Sequence, residues 1–389
     1  MDHGVIYLIE LKIMSTYMIN YCNSLVSINL SSFNTENVEN MASMFENCYS
    51  LTSLDLSSFN TKKVEVVSVM FKNNYNLEYL DISKFDFNNI FSLDSFFYGC
   101  KSLKTLKFSY LNTNQITSFS NMFNSCEQLT SIDLSLFKTE IIRDMSNMFE
   151  NYINLKSIDL SYINSKELVD ISGMFKNCQS LTSVVLPKFN SDNLIRMSNL
   201  FYNCISLETT NINDIISNRI YDMDNMFYNC SSLSSLDLSN IETTEIYSMI
   251  GVFSECHSLK YLNIEKFDTT KVTSMKNMFY NCYSLTSLNI INFNTQNVTD
   301  MSHMLYNCSS ISYLDLKNFD TPKLTDISNM FQLCINMIEL NLPLFYTKNC
   351  KKYTDLFNGC YNLTIKIDGS KFNLRNACPS YVKIIDITD

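Results

Sequence analysis

Apolar residues return to the same places every 26 residues along this chain. Between Val38 and Phe59 they fall at Val38, Met41, Met44, Phe45, Cys48, Leu51, Leu54, Leu56 and Phe59. Far downstream the same offsets give Val272, Met275, Met278, Phe279, Cys282, Leu285, Leu288, Ile290 and Phe293. The cysteine place recurs at Cys22, Cys48, Cys100, Cys126, Cys178, Cys204, Cys230, Cys256, Cys282, Cys308, Cys334 and Cys360, with Asn74 and Tyr152 in the two remaining places. Three residues before it stands Phe, except at Ile19 and Leu305; three residues after it stands Leu, except at Ile311 and Met337. There is no insertion or deletion in the register. A strict period of this length marks a solenoid, in which each coil buries its apolar face against its neighbours. Constancy follows because a volume change at one rung opens a gap or a clash at the next.

Spacing within a unit predicts its local structure. Ser53, Leu54, Asp55, Leu56 and Ser57 alternate polar and apolar, the mark of a short strand with one buried face. Ser58 to Thr61 is polar around Phe59 and reads as a turn. From Val38 to Leu51 apolar residues recur at threes and fours, which predicts a helical, 3₁₀ or irregular return. Parallel strands of successive coils then lie about 4.8 Å apart.

These residues carry a resemblance. Leu51-x-x-Leu54-x-Leu56 is the strand core of a leucine-rich repeat, and Met44 to Val64 reads MFENCYSLTSLDLSSFNTKKV. The unit resembles that of the BspA-like leucine-rich-repeat surface proteins, and the likeness covers residues 15 to 365. It implies an α/β repeat solenoid: a right-handed coil stack with one parallel β-sheet and short helical or irregular returns. It also implies a cell-surface or secreted protein in adhesion or protein contact, an analogy about function rather than a site.

The expected organisation is an N-terminal cap at 1–14, a solenoid of about 13–14 coils at 15–363, and a C-terminal cap at 364–389. Residues 1–14 fall out of register, although Val5 to Ile9 is strand-like; Val382 to Ile387 reads as a last strand. Glu10 and Lys12 interrupt the apolar stretch, so no signal-peptide core is expected there, and a start further upstream would hide one. No apolar run approaches the ~18–20 residues of a membrane span, so no membrane insertion is expected.

Composition narrows the partners. At 389 residues the chain exceeds one ordinary globular core, a ceiling that a solenoid avoids. The formal charge of −10 argues against a nucleic-acid partner and against docking on an anionic membrane.

The 14 cysteines allow two states. Equivalent Cα atoms of adjacent coils lie within disulfide range, as a secreted protein would use. Parallel Cβ atoms near 4.8 Å exceed the ~3.5–4.5 Å that a disulfide wants, which favours buried free thiols acting as small hydrophobes. No Cys-x-x-Cys occurs and the only histidines are His3, His257 and His303, so no metal site is expected.

A second ladder is polar. Seven residues after the cysteine place stand Asn29, Asp55, Asp81, Lys107, Asp133, Asp159, Val185, Asn211, Asp237, Asn263, Asn289, Asp315 and Asn341. Two residues earlier stand mostly Ser, Thr or Tyr, among them Ser131, Tyr79, Tyr261 and Tyr313. In leucine-rich repeats this is the exposed, ligand-facing sheet. The candidate binding face is therefore Asp55, Tyr79, Asp81, Asp133, Asp159, Asp237, Tyr261, Tyr313 and Asp315, with the tyrosines as anchors for a protein or glycan. The competing reading is a solvated face whose Asp and Asn bond to local backbone and neighbouring rungs. Calcium on Asp55–Asp81 or Asp133–Asp159 needs six to eight oxygens, more than a flat ladder presents.

Catalytic motifs and cofactor loops are missing from the sequence. The reading is a non-catalytic binding scaffold with no cofactor; the alternative is an intracellular leucine-rich-repeat scaffold or effector. The place where a pocket is expected to break the periodic surface is coil 205–220, where Thr210, Ile215 and Ile216 depart from the pattern.

Overall fold

The structure is a computed structural model that describes residues 19–108, 113–130, 132–135, 137–187 and 193–387, with the backbone alone at 5–6. The cap expected over 1–14 lies outside the described residues apart from Val5 and Ile6, as does Ser131. Two compact units are formed, Met1–Leu181 and Thr182–Asp389. Each is a parallel β-solenoid.

In the first unit β1 (Val5–Ile6) pairs with β2 (Ser27–Ile28), and β3 (Tyr79–Asp81) pairs with β4 (Thr105–Lys107); β5 (Ser157–Asp159) follows. In the second, β6 (Ser183–Val185) pairs with β7 (Thr209–Thr210), and β8 (Ser235–Asp237) with β9 (Tyr261–Asn263). Strands β10 (Tyr313–Asp315), β11 (Glu339–Leu342), β12 (Thr364–Ile367) and β13 (Lys383–Asp386) form one sheet. Every pairing named is parallel, and in register: Leu80 faces Leu106 and Leu236 faces Leu262. The expected sheet is thus present as short runs. A second parallel ladder joins coils on another side, through Ser118–Asp144 and Asp144–Asp170 in the first unit and Asp300–Asp326 in the second.

Of the returns expected, the structure has the irregular kind. In the coil from Met275 to Cys282 the N–H groups of Met278, Tyr280 and Cys282 each bond the carbonyl three residues back, at 3.2, 3.1 and 3.1 Å. The alternate N–H groups of Met275, Asn277, Phe279 and Asn281 leave the coil and bond Asp300, Ser302, Met304 and Tyr306 of the next. Asn277 and Asn281 have φ of 57° and 58°, the left-handed value at the third place of a type II turn. Consecutive turns therefore mimic the threes and fours of a helix without i→i−4 bonds. Asparagine tolerates this conformation better than other side-chain-bearing residues. It stacks too: Asn307 Nδ2 donates to Asn281 Oδ1 at 3.0 Å, and Asn73 Nδ2 to Asn47 Oδ1 at 2.8 Å.

The core is a set of ladders. Phenylalanine rings stack nearly parallel, with centroids 5.5 Å apart for Phe97–Phe123 and 5.6 Å for Phe149–Phe175 and Phe253–Phe279. The offset stack adds ring attraction to burial. The cysteines are free and their place is a hydrogen-bonding one. Cys100 Sγ lies 3.1 Å from the carbonyl oxygen of Phe71, Cys282 Sγ 3.0 Å from that of Phe253, and Cys308 Sγ 3.1 Å from that of Phe279. A thiol is small, apolar and still a weak donor, so it fills the place and reaches the preceding coil's carbonyl. Asn74 keeps the donor, with Nδ2 2.9 Å from the Phe45 carbonyl and 2.7 Å from that of Phe71, and leaves its own Oδ1 without a partner. Tyr152 keeps only the bulk, for its buried hydroxyl has no partner.

A ladder that sequence reasoning missed lies beyond the strand. Thr61, Thr269 and Thr321 are buried, and their hydroxyls donate to the carbonyls of Asp86, Asn294 and Tyr346 in the next coil. Thr61 and Thr321 also accept the N–H of the same residue, Asp86 and Tyr346.

Candidate binding face

The expected face is built from the outward residues of the strands. Burial alternates exposed, buried, exposed in β5 and β8, so Ser157 and Asp159, and Ser235 and Asp237, point away from the leucine ladder. Asp55 and Asp133 are exposed, while Asp81 and Asp315 are half-buried. Tyr79, Tyr261 and Tyr313 are 43%, 59% and 53% exposed, high for side chains of this size.

All six aspartates share a structural task. In each, Oδ1 accepts the backbone N–H two residues on: Ser57 to Asp55, Ser83 to Asp81, Ser135 to Asp133, Ser161 to Asp159, Ser239 to Asp237 and Lys317 to Asp315, at 2.8–3.1 Å. These Asx turns start the bend, which explains why the place is filled by Asp or Asn. They close β3, β5, β8 and β10 at Asp81, Asp159, Asp237 and Asp315, whereas the strand expected around Leu54 and Asp55 does not form and Asp133 likewise stands outside any strand pairing. Hydrogen bonds from the following serine hold the carboxyls of Asp55, Asp81, Asp133 and Asp159 below the usual range. One carboxylate oxygen is thus committed to the turn.

Among the described residues, each unit opens a cavity on this face. The first, about 270 Å³, is lined by Leu54, Asp55, Tyr79, Asp81, Lys84 and Phe85 among others. Tyr79 Oη donates to Asp81 Oδ2 at 3.3 Å, and Lys107 Nζ sits 5.4 Å from the Tyr79 ring. The second, about 390 Å³, is lined by Tyr261, Asn263, Glu265, Ser287, Asn289, Tyr313 and Asp315 among others. The structure therefore brings Asp55, Tyr79 and Asp81 together, and Tyr261, Tyr313 and Asp315 together. Asp133, Asp159 and Asp237 line neither. Lys107 and Glu265 are additions, and Lys107 was visible in the sequence as a break in the Asp/Asn ladder.

Coil 205–220 also departs from the repeat. A 3₁₀ turn at Ile212–Asp214 buries Ile215 and turns Ile216 outward, 56% exposed, beside a cavity of about 530 Å³. The Thr210 hydroxyl is buried without a partner. Asn211 reaches back to the N–H and carbonyl of Leu186, at 2.7 and 2.9 Å.

No cluster of three or more His, Cys, Asp or Glu suited to a metal is found among the described residues. Burial pushes the thiols of Cys48, Cys100, Cys256, Cys308 and Cys360 up to about 12, so they stay protonated and unreactive at neutral pH. Among the described residues no helix is long and apolar enough to cross a membrane.

The coils, ladders and face define a parallel β-solenoid repeat protein. The chain belongs to the family described as "Mycoplasma protein of unknown function, DUF285", whose profile matches residues 10–104, 70–189, 153–261, 195–310 and 247–372. No curated protein sequence matches it. Among solved structures it is similar to a leucine-rich repeat protein from Bacteroides ovatus: 18% identity, 83% of this chain, 88% of the other, TM-score 0.43. It is similar to an internalin from Listeria monocytogenes: 16% identity, 86% of this chain, 87% of the other, TM-score 0.28. The functional domain of another Listeria protein, InlJ, described as including a cysteine ladder, shows 15% identity over 86% of this chain and 72% of the other, TM-score 0.26. None of these three reaches a TM-score of 0.5, and none bears on what this chain binds.

Proposed function

We propose that this protein is a non-catalytic scaffold that binds a protein or glycan through the outward face of its short strands. The observation that carries the reading is the pair of cavities that expose tyrosine on that face, at Tyr79 and between Tyr261 and Tyr313. Exposed tyrosines joined to hydrogen-bonding groups are typical anchors of recognition surfaces. The Asx turns hold the face rigid and limit the ordering cost of binding. The BspA-like resemblance adds the finer reading of a cell-surface or secreted adhesin.

The test is a binding screen on immobilised extracellular proteins and glycans. Tyr261→Ser and Tyr313→Ser should abolish the signal. Tyr49→Ser and Tyr75→Ser remove a stacked pair of tyrosines (4.8 Å) from outside the strand face and should leave it intact. The reverse pattern would place the binding surface elsewhere.

A further inference from the structure

We infer that the slot between Tyr261 and Tyr313 takes the ammonium or guanidinium group of a lysine or arginine carried by an extended protein partner. The inference rests on the strand face being the binding surface and names the chemistry of its occupant.

The first support is spacing. Tyr261, Ser287 and Tyr313 hold the same place on three successive coils. Tyrosines one coil apart elsewhere in this unit stack with centroids 4.6 Å apart (Tyr202–Tyr228) and 4.7 Å apart (Tyr280–Tyr306). Two coils therefore separate the slot tyrosines by roughly 9–10 Å, with the small Ser287 between them. A cation midway lies about 5 Å from each ring, inside the ~6 Å reach of a cation–π contact.

The second support is charge. Glu265 and Asp315 line the slot, and no Lys or Arg does. Asn289 Nδ2 donates to Glu265 Oε1 at 3.0 Å, and Asn341 Nδ2 to Asp315 Oδ1 at 3.1 Å. Lys317 approaches Asp315 Oδ2 at 3.8 Å from an exposed position, a weak pairing in solvent. With a net charge of −10 the chain attracts a cationic partner at long range. A neutral ring would fit the gap but gains nothing from the carboxylates.

The third support is an occupant the chain supplies itself. In the first unit Tyr79 and Asp81 meet Lys107 from the following coil, with Nζ 5.4 Å from the ring. Lys101 over Tyr75 (5.8 Å) and Lys271 over Tyr247 (6.0 Å) repeat the choice of an ammonium on tyrosine. In the second unit the residues that match Lys107 are Asn289 after Tyr261 and Asn341 after Tyr313. Lys366 lies within electrostatic reach of Tyr313 but is held by Glu339 Oε1 at 2.9 Å, so the place that Lys107 fills at Tyr79 is left to a partner between Tyr261 and Tyr313.

The experiment uses the full chain and a fluorescein-labelled octapeptide of alternating serine and lysine at low ionic strength, read by anisotropy. Wild type should bind it at one site and ignore the matched serine–glutamate peptide. Tyr261→Ala and Tyr313→Ala should each weaken binding roughly tenfold. Asn289→Lys, which lays a lysine into the slot as Lys107 does at Tyr79, should abolish it. Lys107→Asn should add a second, roughly tenfold weaker site at the single Tyr79, a gain in stoichiometry that misfolding cannot imitate. Failure of the lysine peptide to bind, equal binding of the glutamate peptide, unchanged binding by Asn289→Lys, or a stoichiometry unmoved by Lys107→Asn would each overturn the inference. In those cases a screen ligand still lost in Tyr261→Ser leaves the broader strand-face reading standing.

Discussion

The two sides of the same short strands obey different rules. Leu236 and Leu262 point inward, pair coil to coil, and are nearly interchangeable along the ladder. One residue away, Ser235 becomes Tyr261 in the next coil and Ser287 in the one after. Inside, each residue is the wall of its neighbour's cavity, so volume is held nearly constant, with Tyr152 in the cysteine ladder the large exception. Outside, a rung contacts mainly water, so identity is free to serve a ligand. In a repeat protein the informative residues are those that depart from the repeat on the exposed side.

Truncation on each side should show that contrast most strongly. Phe149 is fully buried between Phe123 and Phe175, at 6.1 and 5.6 Å. Phe149→Ala should cost about 3–5 kcal/mol in denaturant unfolding, spread over more than one transition if coils separate. Tyr261→Ala, outward and 59% exposed, should stay within about 0.5 kcal/mol. Equal costs would break the comparison.

The two irregular rungs of the cysteine ladder sharpen it. Tyr152 buries a hydroxyl with no partner, so Tyr152→Phe should stabilise by about 1–2 kcal/mol. Asn74→Cys keeps a donor toward the Phe45 carbonyl and removes the orphaned Oδ1, and should stabilise by about 1 kcal/mol. A loss of stability in Tyr152→Phe would mean that the hydroxyl has a partner.

The smallest effect is on the outer side. Asp55, Asp81, Asp133 and Asp159 have lowered pKa values because the serine two residues on donates to each. A carboxylate lowered in the folded state adds stability above its unfolded pKa of about 4 and loses it as pH falls through the folded value. The melting temperature should fall modestly between about pH 5 and pH 3 for this reason. Asp144 and Asp224, raised by burial, act with the opposite sign, since acid relieves their penalty. Asparagine at all four outer places should flatten the fall, as Asn29 already accepts the N–H of Ser31 at 3.0 Å. An unaltered profile would remove the Asx turns as the cause.

The period, the inward ladders and the outward strand residues were legible because they depend only on which residues must be apolar at fixed spacing. The return was not, because consecutive turns and a 3₁₀ helix place apolar residues at the same threes and fours. The signal that separates them is the asparagine before the cysteine place, at Asn47, Asn73, Asn281 and Asn307, which marks left-handed backbone. The buried Thr61 and Thr321 look like ordinary turn residues until the next coil supplies their partners. Each tyrosine of the face was visible, but Lys107 lying over Tyr79 is a relation between coils.

Buried, protonated thiols and stacked rings close the interior to chemistry, which leaves function to the surface. Thiol titration tests this most directly. Of the 14 free cysteines only Cys22, Cys350 and Cys378 are partly exposed. The native protein should yield no more than these three thiols, and the denatured, unreduced protein all 14. A denatured value near zero would mean bridged coils, and rapid reaction of the buried ladder cysteines from Cys48 to Cys360 in the native state would mean an open interior; either would contradict a closed core.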